Sequence, residues 1–196
     1  MRRPDGIDVE RAKSVQVGIG LDSRLATELQ GQITVVPDFP KPGILFQDLC
    51  PVFANPGLMR MLTKSVCAAY GDGFDKVLAV EARGFVIGAN VAAEADVPLV
   101  LARKRGKLPG VVHSLAYALE YGAAVLEIQA DAIRPGDRVL LVDDVLATGG
   151  TLAVAAQLVA LADGVIAGHA VIVVIDGLGG PDRLAPWPLY AALSVS

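Results

Sequence analysis

The stretch Val139-Leu140-Leu141-Val142-Asp143-Asp144-Val145-Leu146-Ala147-Thr148-Gly149-Gly150-Thr151 decides the fold of this 196-residue chain. Aliphatic residues run into two acids, and a loop with two glycines and two threonines leads into an Ala- and Leu-rich segment. A continuous aliphatic run is typical of a strand buried on both faces, as in a parallel sheet. The stretch therefore predicts a strand, a loop and a helix, with the acids at the carboxyl end of the strand, where ligands bind in open α/β sheets.

Short aliphatic runs separated by Gly, Pro and polar clusters recur on either side of this stretch. They predict strands over residues 76–80, 97–102, 138–142 and 169–175, and an edge strand over 123–128. Helices are predicted over residues 21–30, 58–70 (ended by Gly71), 84–95 and 151–162. Strands that alternate with helices predict a doubly wound α/β fold, with a mostly parallel central sheet flanked by helices.

Composition excludes several classes of protein. The net charge of −4 and the pI of about 5.1 argue against a general nucleic-acid binder. The mean hydropathy of +0.51 is high, but the longest aliphatic run, residues 170–175, is far shorter than a membrane span. Cys50 and Cys67 cannot make a disulfide framework or a four-thiolate metal site. No secretion signal is visible at the N-terminus, so we expect a cytoplasmic protein with no membrane contact.

Three segments do not follow the alternation. Residues 1–20 show no periodicity and are expected to be a frayed or disordered extension, which leaves 21–196 as a single domain. Residues 37–43 contain three prolines and predict a rigid turn. Residues 103–122 are long and partly polar, which is typical of a functional loop.

The loop at 147–151 has the composition of an anion site. Its glycines allow backbone N–H groups to turn inward, and the helix that follows adds its positive end, so the site suits a phosphate. Its threonines can donate hydroxyl hydrogen bonds to the same oxygens, whereas Asp143 and Asp144 suit sugar hydroxyls or the water around a divalent cation. The plainer alternative is a strand that ends in a solvated acidic turn. The loop lacks both the Gly-Lys-Ser/Thr ending of a Walker loop and the Gly-x-Gly-x-x-Gly fingerprint.

The stretch 139–151 resembles the PRPP-binding motif of the type I phosphoribosyltransferases. Further segments are similar, in order and spacing, to the branch of that family that takes adenine as its base: Pro37-Asp38-Phe39-Pro40-Lys41-Pro42-Gly43-Ile44-Leu45-Phe46, Glu81-Ala82-Arg83-Gly84-Phe85, Arg103-Lys104-Arg105-Gly106-Lys107-Leu108-Pro109 and Tyr117-Ala118-Leu119-Glu120-Tyr121-Gly122. The resemblance extends from residue 21 to the end. It implies a Rossmann-like phosphoribosyltransferase fold with a small hood, from about residues 21–50 and 175–196, and a flexible catalytic loop.

The resemblance also implies an activity. The family transfers the 5-phosphoribosyl group of PRPP to N9 of adenine and gives AMP and pyrophosphate, with Mg²⁺, through an oxocarbenium-like state. The enzyme must therefore hold charge and exclude water. The implied partners are adenine, PRPP and a second copy in a homodimer, with no nucleic acid and no membrane.

The implied PRPP site has two parts. The 5′-phosphate and ribose would contact Asp143, Asp144, Ala147, Thr148, Gly149, Gly150 and Thr151. The pyrophosphate would contact Arg83, Gly84, Arg103, Lys104 and Lys107, and a cis peptide is expected at Ala82–Arg83. Mg²⁺ would reach the protein through PRPP and water near the two acids, with no direct protein ligand assigned. The alternative for Arg83 is a surface salt bridge. Taken in isolation, the basic run at 103–107 would favour a solvated turn, and its place beside a phosphate loop in an acidic protein favours a contact with pyrophosphate.

The resemblance assigns catalytic roles to Glu120 and Lys107. Glu120 would help to protonate N7 of the purine as the base bonds through N9. The loop 105–116 would close over PRPP on hinges at Gly106 and Gly110 and expel water. The alternative for Glu120 is that it only solvates the strand that follows.

Adenine recognition would involve Leu45, Phe46, Gln47 and Ile175. Phe46 would stack on the purine, while backbone groups of Leu45 and Gln47 would read its edge. The alternative for Phe46 is an ordinary core position. This chain departs from the family at Gln47, where a basic residue is usual, and near residue 174, where the family has a glutamate.

Two other functions compete with this interpretation. A PRPP-sensing regulator would lack Lys107 and Glu120 and would carry a DNA-binding domain, yet both residues are present and residues 1–36 show no such domain. A transferase for hypoxanthine, guanine or xanthine would use a lysine in the C-terminal part, but no lysine follows Lys107.

Overall fold

A computed structural model describes residues 17–19, 23–119 and 122–196 of the chain. The strands are β1 Val17–Ile19, β2 Thr34–Pro37, β3 Leu45–Asp48, β4 Lys76–Val80, β5 Leu99–Lys104, β6 Val112–Leu119, β7 Gly122–Gln129, β8 Arg138–Val142, β9 Val145–Leu146, β10 Val165–Ile175 and β11 Leu189–Val195. The helices are α1 Ser23–Gln32, α2 Cys50–Phe53, α3 Pro56–Tyr70, α4 Gly84–Glu94, α5 Gly150–Leu161 and α6 Gly180–Leu184.

The main sheet has the order β1-β11-β10-β8-β4-β5-β7-β6, and β9 pairs with β10. In this order, each pair of neighbouring strands from β1 through β11, β10, β8 and β4 to β5 is parallel. The strand β7 runs antiparallel to both β5 and β6. Strands β2 and β3 form a separate antiparallel pair. The predicted fold class, a mostly parallel central sheet flanked by helices, is confirmed.

The core lies on both faces of the sheet, which explains the continuous apolar runs. Along β8, Val139 and Leu141 pack in a cluster with α5, whereas Leu140 and Val142 pack in a cluster with α1, α3 and α4. All four side chains are fully buried. A strand that is covered on both faces gains nothing from alternating polar residues, so its sequence does not alternate.

The helix α3 begins two residues earlier than the predicted 58–70. Asn55 precedes it, and its side chain accepts hydrogen bonds from the backbone N–H groups of Gly57 and Leu58, both at 3.1 Å. Pro56 occupies the first turn, where its missing N–H does not weaken the helix. Gly71 follows the last helical residue with φ of +50°, as its predicted role as the stop requires.

Three predictions are corrected by the strand pairing. Val17–Ile19 form β1 at the sheet edge, so the frayed extension expected over 1–20 is wrong for these residues, and 1–16 lie outside the described residues. β7 lies between β5 and β6 and is therefore not an edge strand. Residues 103–122, expected to be an irregular loop, contain β6, which pairs with β7 over its whole length. Main-chain hydrogen bonds to a neighbouring strand decide these cases, and a single segment's periodicity does not report them.

His169 in β10 predicts acid sensitivity. Its imidazole is fully buried beside the Trp187 ring, with centroids 6.0 Å apart, and neither ring nitrogen has a hydrogen-bond partner among the described residues. Burial lowers the pKa of His169 from 6.5 to about 4, because the charged form is poorly solvated there.

We expect the free energy of unfolding to fall as the pH drops from 6.5 towards 4. The unfolded chain binds more protons than the folded one in this window, and the loss reaches up to about 3 kcal/mol. His169→Leu is expected to remove that loss. Urea unfolding of both proteins across a pH series measures it, and parallel losses in the two would contradict the expectation.

Candidate active site

The candidate site lies where the connections of the sheet diverge. β4 leads through α4 to β5 on one side, whereas β8 leads through α5 to β10 on the other. β4 and β8 are neighbours, with Ala79 paired to Val142 near their carboxyl ends. The segments that follow these two strands therefore meet in one crevice, which is where open α/β sheets bind their ligands.

The loop after β9 forms an open depression with a cavity volume of about 100 Å³. Its lining is Asp143, Val145, Leu146, Ala147, Thr148, Gly149, Gly150, Thr151 and Leu152. Gly149 has φ of +76°, a conformation that favours glycine, and α5 starts at the next residue. No described side chain caps this helix, so the N–H groups of its first turn are available to an anion.

The two acids after β8 have different surroundings. Asp143 is half-buried, and its Oδ1 accepts a hydrogen bond from the backbone N–H of Asp144 at 2.9 Å. Asp144 is only 5% exposed, and its Oδ2 lies 2.6 Å from Nε of Arg83. Burial, and next the negative charge of Asp144, raise the pKa of Asp143 well above its usual value. The Arg83 guanidinium thus compensates the charge of Asp144, whereas burial disfavours the charged form of Asp143.

The position of α4 beside the acids depends on Gly84. A Cβ at this position would lie 2.9 Å from Oδ1 of Asp143 and 3.1 Å from the Val142 carbonyl oxygen. Only glycine therefore lets the start of α4 lie directly against the acids.

Arg83 connects the predicted PRPP and adenine sites. Besides its ion pair with Asp144, its guanidinium carbon lies 4.9 Å from the ring centroid of Phe46, and Nη1 donates a hydrogen bond to the Gln47 carbonyl at 3.4 Å. Its place next to the acids was predictable from the motif, but its contacts with β3 were not, because β3 belongs to a separate sheet.

The predicted adenine residues lie on two elements. In β3, Leu45 is 60% exposed, and Phe46 is half-buried with its ring 5.0 Å from that of Phe39. Ile175 is half-buried at the carboxyl end of β10, opposite Val195. It therefore lies at the same edge of the parallel sheet as the acids after β8.

Of the three cations at 103–107 that are predicted to contact pyrophosphate, Arg103 is engaged with other groups of the protein. Arg103 Nε lies 3.5 Å from Glu81 Oε2, and Arg103 Nη1 donates to the Lys107 carbonyl at 3.1 Å. The backbone N–H of Lys104 donates to the same Glu81 oxygen at 2.8 Å. Burial raises the pKa of Glu81, but these donors outweigh it and the net pKa is lowered. The side chains of Lys104 and Lys107 are exposed, whereas Arg103 holds the base of the loop.

Glu127 was missed by sequence reasoning. It is 5% exposed on β7, where Oε2 accepts the backbone N–H of Gly106 at 2.9 Å and Oε1 accepts the Ser114 hydroxyl at 2.8 Å. The Gly106 N–H, and then the hydroxyl, lower the pKa of Glu127. An acid within the apolar run 125–128 was the available signal. Glu127 therefore fastens the loop that carries Lys107 to the sheet.

Glu127→Gln is expected to loosen this loop. Glutamine has only one acceptor oxygen and no charge, so it cannot accept from both the Gly106 N–H and the Ser114 hydroxyl. A hydrogen bond to a charged group contributes about 1.5 kcal/mol or more to stability. The form in which this loop is detached from β7 should become about tenfold more populated. Trypsin should therefore cleave after Arg105 and Lys107 about tenfold faster. Glu94→Gln, at an exposed position on α4, is the matched control. Equal cleavage rates in the two variants would contradict the role of Glu127.

Three further predictions concern Glu120, the glycines of the loop and the cis peptide. Glu120 and Tyr121 lie outside the described residues, so the role of Glu120 stays a prediction. Gly106 and Gly110 both have positive φ, of +76° and +79°. The cis peptide lies at Glu81–Ala82, one bond before the expected position.

The described residues contain neither a cluster of metal ligands nor a membrane-spanning helix. No group of three or more His, Cys, Asp or Glu side chains is arranged to hold a metal ion among them. None of the helices in the described ranges is long and apolar enough to cross a membrane.

Residues 54–187 match the family described as "Phosphoribosyl transferase domain". Among curated proteins, the adenine phosphoribosyltransferase of Salinispora arenicola is 48% identical over 172 residues, which cover 87% of this chain and 92% of that protein. The adenine phosphoribosyltransferase of Streptomyces coelicolor is 46% identical over 172 residues, which cover 85% and 94%.

Solved structures of adenine phosphoribosyltransferases are also similar to this chain. The crystal structure of adenine phosphoribosyltransferase from Rhodothermus marinus has a TM-score of 0.84 and 40% identity, and covers 89% of this chain and 100% of that one. The Saccharomyces cerevisiae enzyme, complexed with an imino-altritol bisphosphate and adenine, has a TM-score of 0.83 and 35% identity, and covers 87% and 99%.

Proposed function

Because the chain belongs to the phosphoribosyltransferase family, in its adenine phosphoribosyltransferase branch, we propose that it transfers the 5-phosphoribosyl group of PRPP to adenine in purine salvage. The products are AMP and pyrophosphate. The observation that carries the proposal is the uncapped start of α5 beside the acid pair, in a chain 48% identical to such an enzyme over most of its length.

The loop 147–151 binds the 5′-phosphate of PRPP in this proposal. The N–H groups of the first turn of α5 and the hydroxyls of Thr148 and Thr151 donate to its oxygens. Asp143 and Asp144 accept hydrogen bonds from the ribose hydroxyls. Both ends of the ribose are then fixed, so the anomeric carbon is presented to the base in one orientation.

Pyrophosphate leaves as an anion, and the cations around it stabilise the charge that develops. Arg83 lies at the start of α4, next to Gly84, and Lys104 and Lys107 have exposed side chains at the loop. Arg103 positions the loop through its contacts with Glu81 and the Lys107 carbonyl. Closing this loop excludes water that would otherwise attack the oxocarbenium-like carbon.

Adenine stacks against Phe46 between the hood and the sheet in this proposal. Backbone groups of Leu45 and Gln47 recognise the purine edge, and Ile175 forms the opposite wall. As N9 bonds to the ribose, the purine must lose one proton to remain neutral, and Glu120 accepts that proton from N7; in the reverse reaction it returns the proton to N7 as the base leaves. The family usually has a basic residue where this chain has Gln47, but this difference does not affect recognition of the purine by the backbone of residue 47.

The site is also suited to Mg²⁺, which the family implies. Mg²⁺ is held by one or two carboxylates together with substrate phosphates and water, and Asp143 and Asp144 are oxygen donors of that kind. When bound, the ion supplies positive charge to the phosphates of PRPP. We also propose a homodimer in the cytoplasm, and a solution mass near that of one 20.3 kDa chain would contradict the dimer.

The decisive experiment measures pyrophosphate release with PRPP and Mg²⁺, with adenine, hypoxanthine, guanine and xanthine in parallel reactions. We expect release with adenine alone, and a strong loss in Glu120→Ala and Lys107→Ala. Release with another base would overturn the adenine pocket but keep the PRPP site. No release from any base, with PRPP binding intact by calorimetry, would favour a PRPP sensor instead.

A further inference from the structure

The short helix α6 packs onto the loop 147–151, called the phosphate loop below, through close contacts between backbones. A Cβ at Gly180 would overlap the carbonyl oxygen of Ala147 and lie 2.8 Å from Cγ of Leu146. A Cβ at Gly149 would lie 3.0 Å from the Gly180 carbonyl oxygen. The absence of side chains on both glycines lets α6 lie directly against the loop. The helix α6 therefore packs directly behind the loop that lines this site.

This packing brings Arg183 to the beginning of α5. Its Nη1 lies 3.3 Å from the point that a Cβ of Gly150 would occupy, and the Thr148 hydroxyl oxygen lies 3.8 Å from the same point. The Arg183 side chain is exposed, and no carboxylate of the described residues forms an ion pair with it. The guanidinium is thus next to the loop, and within the described part of the chain no carboxylate neutralises it.

The charges of the site indicate why a cation is useful there. A phosphate monoester carries a charge of about −1.5 to −2 near neutral pH. The loop 147–151 has no charged side chain, and the α5 N-terminus contributes only about half a positive charge. The acids Asp143 and Asp144 lie close by, and Arg83 is already paired with Asp144. A second guanidinium balances the phosphate.

We propose that Arg183 is a further substrate-binding residue, which contacts the 5′-phosphate of PRPP and of AMP. The proposal deepens the proposed function and rests on it, because it assigns this residue to the same phosphate. Arg183 acts at only one end of PRPP. Ribose 5-phosphate is therefore the probe of its role, and free pyrophosphate, which binds at the other end, is the control ligand.

The test compares ligand affinities by calorimetry without turnover. We expect Arg183→Gln to raise the Kd of ribose 5-phosphate about tenfold, since a charge-assisted hydrogen bond contributes about 1.5 kcal/mol or more. Arg183→Lys should show a smaller loss because it keeps the charge but not the fork of donors. Arg60→Gln, at an exposed position on α3, is the matched loss of charge and should bind as the wild type does. Pyrophosphate affinity should be the same in all the proteins.

Two outcomes would overturn the role of Arg183. One is an unchanged Kd of ribose 5-phosphate in Arg183→Gln. The other is an equal loss of ribose 5-phosphate and pyrophosphate, which would report a general effect of charge or folding. AMP synthesis by the wild type is measured separately. If the wild type forms AMP and Arg183→Gln binds ribose 5-phosphate with the wild-type Kd, only the role of Arg183 is refuted. A wild type that forms no AMP refutes the proposed function.

Discussion

Gly180→Ala is expected to lower kcat/KM for PRPP by about a hundredfold. The new methyl group would overlap the Ala147 carbonyl oxygen, and backbone on both sides of the contact leaves it nowhere to rotate. Either α6 or the phosphate loop must move by a large fraction of an ångström. A displacement of about 1 Å at a substrate-positioning group costs about a hundredfold in rate. Steady-state assays with PRPP varied at saturating adenine measure the effect.

The control for this prediction is Gly31→Ala. Gly31 lies near the end of α1, and nothing approaches its Cβ position within 4 Å. An added methyl there should raise helix stability by about 0.5–1 kcal/mol and leave turnover unchanged. If Gly180→Ala retained wild-type turnover, the packing of α6 on the loop would have no part in PRPP binding.

Arg83→Gln is expected to lower both stability and turnover. It leaves Asp144, 5% exposed, without its cation beside Asp143. Breaking a fully buried pair costs about 3–5 kcal/mol, and the Arg83 side chain is 35% exposed, so we expect a loss of about 2 kcal/mol. Turnover should fall about a hundredfold, because a donor to the leaving pyrophosphate is lost. Urea unfolding and initial rates measure the two effects separately.

The loss of stability should depend on pH. The folded-state pKa of Asp143 already lies above 3.8, so the folded chain binds more protons than the unfolded one, and stability falls as the pH rises through the raised pKa. Arg83 lowers this pKa, and its removal extends the effect to higher pH. The destabilisation of Arg83→Gln should therefore be larger at neutral than at acidic pH.

A double variant separates the two roles of Arg83. Arg83→Gln combined with Asp144→Asn removes both charges, so stability should return towards that of the wild type. Turnover should stay low, since neither the pyrophosphate donor nor the ribose acceptor is restored. Recovery of turnover together with stability would show that Arg83 acts only as a structural partner of Asp144.

Much of the fold could be predicted because it rests on local sequence. Residues 76–80 and 138–142 are strands with the predicted bounds, since their aliphatic runs suit a sheet covered on both faces. The loop 147–151 and the helix after it follow from glycines and threonines that are adjacent in the chain. The family resemblance, carried by such contiguous motifs, is confirmed by the match over residues 54–187.

The sequence by itself therefore determined the layered architecture, the glycine-containing turn into α5 and the family, because each depends on residues that are close in the chain. Only the tertiary structure decided which side chains meet at the site. Arg83 contacts both Asp144 and Phe46, Glu127 holds Gly106, and α6 brings Arg183 to Gly150. These partners are separated by 21 to 61 residues in the chain and come together only when sheet order and backbone packing place them. The periodicity of one segment carries no information about such contacts.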